Sequence, residues 1–191
     1  TGAAPISTGI LEFFRTIGIP LLEVYGQTES TGVATAQPVD DVHLGTVGVA
    51  ITGVEVILGE HNEIIMRGGS MFKGYYKSDE ATASTLKDGW LHTGDVGEWR
   101  DGQLKIVDRL KDIMITAGGK NLSPTEIENT IKASPYIKEC IVIGEARKYV
   151  SALIQIDFDT VAKWAEQERI AYTTFRSLTE QAQVNELIQA E

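Results

Sequence analysis

The sequence predicts a mixed α/β fold in two parts: a first part that ends in a β-rich segment, then a small α+β unit. Three observations carry this. A helix pattern and a short apolar strand run into a small polar loop at residues 26–32. Between residues 44 and 108 glycine recurs about every ten residues with apolar alternation between, the pattern of short antiparallel strands and tight turns. After Arg109 a helix-capping motif opens a new alternation of helix and strand patterns.

In chain order, Ser7 and Thr8 can cap a helix carrying Ile10, Leu11, Phe13, Phe14 and Ile17, which Gly18 stops. Residues 20–25 read as an apolar strand. Residues 54–58, 63–67 and 103–107 alternate as strands, with the Asp-Gly pairs 88–89 and 101–102 as hairpin turns. The segment 44–108 is therefore expected to form a small β-barrel or sandwich. Ser123-Pro124-Thr125-Glu126 is a capping box with proline at the first helical position, and its helix should run to about Ala133 with Ile127 and Ile131 inward. Strands at 136–144 and 152–156 follow, then charged amphipathic helices near 159–169 and 174–190. The boundary between the parts falls at Arg109, giving 1–109 and 110–191.

Composition narrows the function. The chain has 191 residues and a net charge of -10, against the basic face that nucleic-acid binding needs, although a local basic cleft for a nucleotide is compatible with it. The lone cysteine, Cys140, lies in an apolar run, cannot form an internal disulfide and suits a reducing cytoplasm. No apolar run approaches the ~18 residues that span a bilayer. His43, His61 and His92 are scattered without metal-ligand spacing, and Trp90, Trp99 and Trp164 read as packing residues.

Three motifs carry chemistry. In Tyr25-Gly26-Gln27-Thr28-Glu29, Tyr25 offers a face for a base and Gly26 lets the backbone approach a ligand. Thr28 supplies a hydroxyl and an N–H for phosphate, and Glu29 is a hard oxygen ligand for Mg2+. A polar turn after a strand is the plainer account of the same string. Asp95, in His92-Thr93-Gly94-Asp95, is a carboxylate that could accept ribose hydroxyls, or simply a turn aspartate beside glycine. Asp108-Arg109-Leu110-Lys111-Asp112 supplies the always-charged Arg109 for phosphate or ribose, or is a solvated charge run. Gly118-Gly119-Lys120 is no P-loop, since Met114 stands where a glycine is required and no Ser or Thr follows Lys120.

These motifs, in this order, resemble the adenylate-forming (AMP-binding) enzymes: acyl-CoA synthetases, luciferases and peptide-synthetase adenylation domains. The wording TAGGKNLSPTEIEN at 116–129 is most like the long-chain fatty acyl-CoA synthetases. The resemblance runs through essentially the whole chain. It implies that residues 1–109 are the end of a large nucleotide-binding domain and 110–191 an incomplete C-terminal lid. It assigns Gly2, Ala3 and Ala4 to an adenine wall, Tyr25, Gly26, Gln27 and Thr28 to ATP, and Glu29 to Mg2+. Asp95 would bind the ribose, Arg109 would contact the ribose or the α-phosphate, Lys111 would be a hinge, and Gly118, Gly119 and Lys120 would pass close to CoA.

The resemblance also implies a glycine-rich phosphate loop ahead of residue 1 and a catalytic lysine beyond residue 191. The expectation is thus an inactive piece of a fatty acid–CoA ligase that uses ATP, Mg2+, CoA and a fatty acid. A cytoplasmic parent enzyme with peripheral membrane contact would suit that chemistry. Two other readings remain: a peptide-synthetase-type adenylation domain, and a silent fragment that only binds nucleotide or a partner.

Overall fold

The computed structural model describes residues 1–3 and 6–191, and the fold is mixed α/β. The chain divides into two compact units, Thr1–Asp112 and Ile113–Glu191.

In the first unit, helix α1 (Thr8–Thr16) begins where the Ser7 hydroxyl accepts the Ile10 N–H, as its sequence dictates. Only Leu11 of its apolar residues is buried; Ile10, Phe13 and Ile17 are exposed. Strand β1 (Val24–Tyr25) is shorter than the six residues expected, because it pairs antiparallel with β2 (Thr35–Ala36) over just two positions. Pro20 has no N–H to add to a ladder. β2 also pairs with β3 (Val49–Ala50), so residues 49–50 join this small sheet rather than the later one.

The second sheet holds β4 (Val54–Leu58), β5 (Glu63–Gly68), β6 (Leu86–Lys87), β7 (Trp90–Arg100) and β8 (Gln103–Arg109), with α2 (Asp79–Thr85) before β6. The expected barrel is realised as a curled half-barrel of five antiparallel strands. β7 is the spine, flanked by β5 on one side and by β6 and β8 on the other. The two Asp-Gly turns hold: Asp88 and Gly89, then Asp101 and Gly102, all adopt positive φ, as a two-residue hairpin requires. Ala34, Val54, Ile64, Met66, Leu91 and Leu104 form the core, with Tyr25 packed against it. Trp90 lies under the Arg67 guanidinium, but Trp99 is 46% exposed and packs little.

A buried polar network ties the small sheet to the half-barrel. Gln37 accepts the Glu23 N–H and donates to the Thr46 carbonyl, while the Thr46 hydroxyl donates to Gln103 Oε1 at 2.7 Å. Burial pushes the Glu23 carboxyl above its ordinary value, against the pull of the Gly45 N–H.

The second unit starts with the hairpin β9 (Met114–Ile115) and β10 (Asn121–Leu122), then α3 (Pro124–Ile131). Ser123 caps α3 by accepting the Glu126 N–H at 3.0 Å, with Pro124 in the first turn. Ile127 and Ile131 are only half-buried. Strands β11 (Ile137–Ile143) and β12 (Ser151–Ile156) form an antiparallel pair. Cys140 is buried in β11, which pushes its thiol above the ordinary value.

Helix α4 (Phe158–Gln167) follows. The expected single helix at 174–190 is two, α5 (Phe175–Thr179) and α6 (Ala182–Ala190), broken at Gln181 with extended backbone. Leu178 and Val184 both enter the second core beside Val161 and Ala165. In a continuous helix, residues six apart point about 120° away from each other, so the break is what turns both inward.

Exposed Leu110 and Lys111 lie at the end of the first unit. Limited trypsin digestion should therefore cut first after Lys111 and yield two protected pieces; a dominant early cut inside the half-barrel would contradict the two-unit division.

Candidate functional site

Three separated motifs meet at one carboxylate. The Tyr25 hydroxyl, at the end of β1, donates to Asp95 Oδ2 at 2.6 Å. Arg109 Nε, at the end of β8, lies 2.8 Å from Asp95 Oδ1. Asp95 and Arg109 are direct cross-strand partners in the β7–β8 ladder. The Asp95 side chain is 9% exposed and that of Arg109 is 55% exposed, so the pair presents a cation to solvent above a sheltered anion.

Burial raises the Asp95 carboxyl above its ordinary value and outweighs the Tyr25 hydrogen bond and the Arg109 charge, both of which favour ionisation. Burial, and then the Asp95 charge, hold the Tyr25 phenol well above its ordinary value, so it stays a hydrogen-bond donor.

Asp95 is aimed by the irregular backbone of β7. Glu63 pairs with Val96 and Ile65 with His92, so Thr93, Gly94 and Asp95 stand opposite Ile64 alone. On the other side the β7–β8 register shifts just after Val96. The Thr93 hydroxyl donates to the Ile64 carbonyl at 2.6 Å and accepts the Asp95 N–H at 3.0 Å. Bulges of this kind bend a strand and redirect a side chain.

The loop after β1 is built for close approach. A side chain on Gly26 would collide with the Gly32 carbonyl, so glycine is required there. Residues Thr28–Ser30 make one tight helical turn, closed by reciprocal bonds between Ser30 Oγ and the backbone of Gln27. Glu29 sits on this turn, and its Oε1 accepts the Tyr75 hydroxyl at 2.7 Å. The Phe72 N–H donates to the Glu29 carbonyl, so residues 72–75 dock on the loop. Gln27 Nε2 is buried without a hydrogen-bond partner.

Gly2 lies against Val24, and Ala3 has positive φ; Ala4 lies outside the described residues. Gly118, Gly119 and Lys120 form a turn between β9 and β10, closed by the Gly119 N–H on the Thr116 carbonyl and the Lys120 N–H on Thr116 Oγ1. They belong to the second unit, and Lys111 to the last residues of the first. Among the described residues no group of three or more His, Cys, Asp or Glu side chains could hold a metal ion, and no helix is long and apolar enough to cross a membrane.

Sequence reasoning missed Glu63 and Tyr75 and read His92 as bland. Glu63 Oε1 accepts the Gly94 N–H at 3.0 Å, and its Oε2 meets His92 Nδ1 at 2.7 Å. The glycine inside an otherwise strand-like run at 94 was the signal for a bulge that needs support.

An aromatic hydroxyl, a sheltered carboxylate and an arginine thus converge beside a glycine-backed polar loop, the arrangement expected of the nucleotide-binding class that the sequence motifs resemble. Comparisons with known proteins agree with that class. Residues 1–76 match the AMP-binding enzyme family and 111–187 match the AMP-binding enzyme C-terminal domain. The chain belongs to the AMP-binding enzyme family.

Two relatives and one solved structure give the scale of the likeness. The chain is 45% identical over 170 residues to a Mycobacterium tuberculosis protein assigned by name as fatty-acid–CoA ligase fadD11, covering 87% of this chain and 30% of that one. It is 36% identical over 168 residues to the long-chain-fatty-acid–CoA ligase FadD15 of Mycobacterium bovis, covering 87% of this chain and 28% of that one. The O-succinylbenzoate coenzyme A synthetase of Bacillus subtilis, solved with AMP, matches with a TM-score of 0.73 at 25% identity, over 89% of this chain and 39% of that one. The chain thus spans about three tenths of the length of the curated relatives it matches.

Proposed function

We propose that the whole protein is a long-chain fatty acid–CoA ligase: fatty acid and ATP give acyl-adenylate and pyrophosphate, and the CoA thiol then displaces AMP. The observation that carries this reading is the convergence of Tyr25 and Arg109 on Asp95 in a chain similar to proteins named fatty-acid–CoA ligases. Activation is needed because a carboxylate is a poor acyl donor until its oxygen becomes part of a good leaving group.

In this reading Asp95 accepts the ribose hydroxyls. Its carboxylate carries about four lone-pair sites, and Tyr25 and Arg109 occupy two, so two hydroxyls fit beside them. Arg109 adds a permanent charge near the ribose and α-phosphate. Gly2, Ala3, Ala4 and the Tyr25 ring bound the adenine, while Gly26, Gln27 and Thr28 bring backbone and hydroxyl donors to the phosphates. A lone Glu29 fits Mg2+, which is commonly held by one or two carboxylates together with substrate phosphates. Bound there, Mg2+ would neutralise charge on the departing pyrophosphate. Tyr75 holds Glu29 in place meanwhile.

Lys111 is the hinge between adenylate and thioester chemistry, and Gly118, Gly119 and Lys120 border the path of CoA. The cytoplasm, with peripheral contact to the membrane that supplies the acyl chains, is the proposed location.

The test is ATP–pyrophosphate exchange and acyl-CoA formation by the full-length protein. Exchange that depends on long-chain fatty acid, with CoA-dependent AMP release, is the expected result. Exchange driven by amino acids instead would point to a peptide-synthetase type of adenylation. Residues 1–191 alone are expected to release no AMP above background.

A further inference from the structure

We propose that Glu63 is the positioning residue of the nucleotide site: it clamps the bulged backbone at Gly94 and so aims the Asp95 carboxylate at the ribose. The proposal rests on the reading of Asp95 given above.

The bulge creates the need. With Thr93, Gly94 and Asp95 facing Ile64 alone, the β5–β7 ladder passes over the Gly94 N–H. Glu63, the first residue of β5, supplies the acceptor from its side chain, with Oε1 at 3.0 Å from the Gly94 nitrogen. The Gly94 carbonyl accepts the Leu110 N–H at 2.7 Å. Gly94 has φ of +70°, so both of its peptide groups are held across a turn that other residues rarely adopt.

The adjacent residue is Asp95, whose two oxygens are already directed by Tyr25 and Arg109. A turn of this shape sets where the next side chain points, and Glu63 fixes the turn.

Glu63 is equipped for support rather than for chemistry. Its side chain is 15% exposed, and its second oxygen is taken by His92 Nδ1 at 2.7 Å. Each oxygen therefore already serves a protein partner within the fold. His92 in turn fixes the carboxylate plane, so the clamp has two anchors. A carboxylate that accepts a backbone N–H and an imidazole N–H is a strong and directional bond pair.

Calorimetric titration of the full-length protein with AMP and with 2′,3′-dideoxyadenosine monophosphate separates a clamp on Asp95 from a general structural role. The dideoxy nucleotide lacks the ribose hydroxyls and keeps everything else. The wild-type protein should prefer AMP on the order of tenfold or more, as expected when a charged acceptor loses its donors. Glu63→Ala should lose most of that preference by weakening AMP alone, with dideoxy-AMP binding unchanged. Glu63→Gln keeps an acceptor for the Gly94 N–H and should keep the preference.

A preference that survives Glu63→Ala overturns the clamp, and so does equal weakening of both nucleotides or a Glu63→Gln variant as indifferent as Glu63→Ala. Wild-type protein that binds the two nucleotides equally overturns the ribose reading itself, and the clamp with it.

Discussion

Asp95→Asn should cut kcat/KM for ATP by on the order of tenfold to a hundredfold in the full-length protein, and yet leave its first unit at least as stable. The catalytic half follows from charge. A hydrogen bond to an ionised group contributes ~1.5–3 kcal/mol, and an amide keeps the shape of the carboxylate but only one acceptor oxygen and no charge.

The stability half follows from burial. The folded structure raises the Asp95 carboxyl above its ordinary value, with desolvation as the first cause. A group whose folded value is raised contributes stability fully below its unfolded value, and loses that contribution as pH rises through the folded value. At neutral pH the ionised Asp95 is therefore a cost to folding, and asparagine removes it. Arg109 loses its partner but is 55% exposed, so water takes over.

The gap in melting temperature between Asp95→Asn and wild type should widen as pH rises from below the ordinary carboxylate range and then level off. A variant that melts well below wild type at pH 7 would show instead that the Tyr25–Asp95–Arg109 cluster holds the fold together. Its kinetic loss could then not be assigned to the ribose.

What could be read in the sequence was what local chemistry alone determines. Asp88-Gly89 and Asp101-Gly102 announce hairpins because few residue pairs tolerate positive φ twice in succession. Ser123 announces a helix because its hydroxyl satisfies the Glu126 N–H whatever the rest of the chain does. Tyr25, Asp95 and Arg109 were each legible from their motifs.

What was hidden depends on partners far along the chain. The six-residue strand expected at 20–25 shrank to Val24–Tyr25 because β2 offers only two partners, and that is a property of residues 35–36. The break at Gln181 arises from two distant contacts that no single helical period can satisfy, those of Leu178 and Val184. Glu63 escaped notice for the same reason. Its spacing from Gly94 means nothing until the β5–β7 register puts a bulge opposite Ile64. The Tyr75–Glu29 bond likewise joins residues 46 apart in sequence.

Lys111→Pro should slow thioester formation far more than adenylate formation, with the half-reactions measured separately by pyrophosphate exchange and by transfer from isolated acyl-adenylate. Lys111 is exposed in the turn that closes with the Asp112 N–H on the Arg109 carbonyl, one residue before the boundary of the two units. Its own N–H has no hydrogen-bond partner among the described residues, so proline deletes no bond seen in this structure. What proline imposes is φ near -65° at this residue and a preference for extended backbone at Leu110.

If one half-reaction needs a different backbone there, holding the chain in an unfavoured conformation costs ~1–3 kcal/mol, on the order of tenfold to a hundredfold in that step alone. Arg109 and Asp95 precede the turn and are paired in the β7–β8 ladder, so the nucleotide site should survive the change. Equal losses in both half-reactions would mean that the substitution had disturbed that ladder instead, and the hinge role of Lys111 would fall.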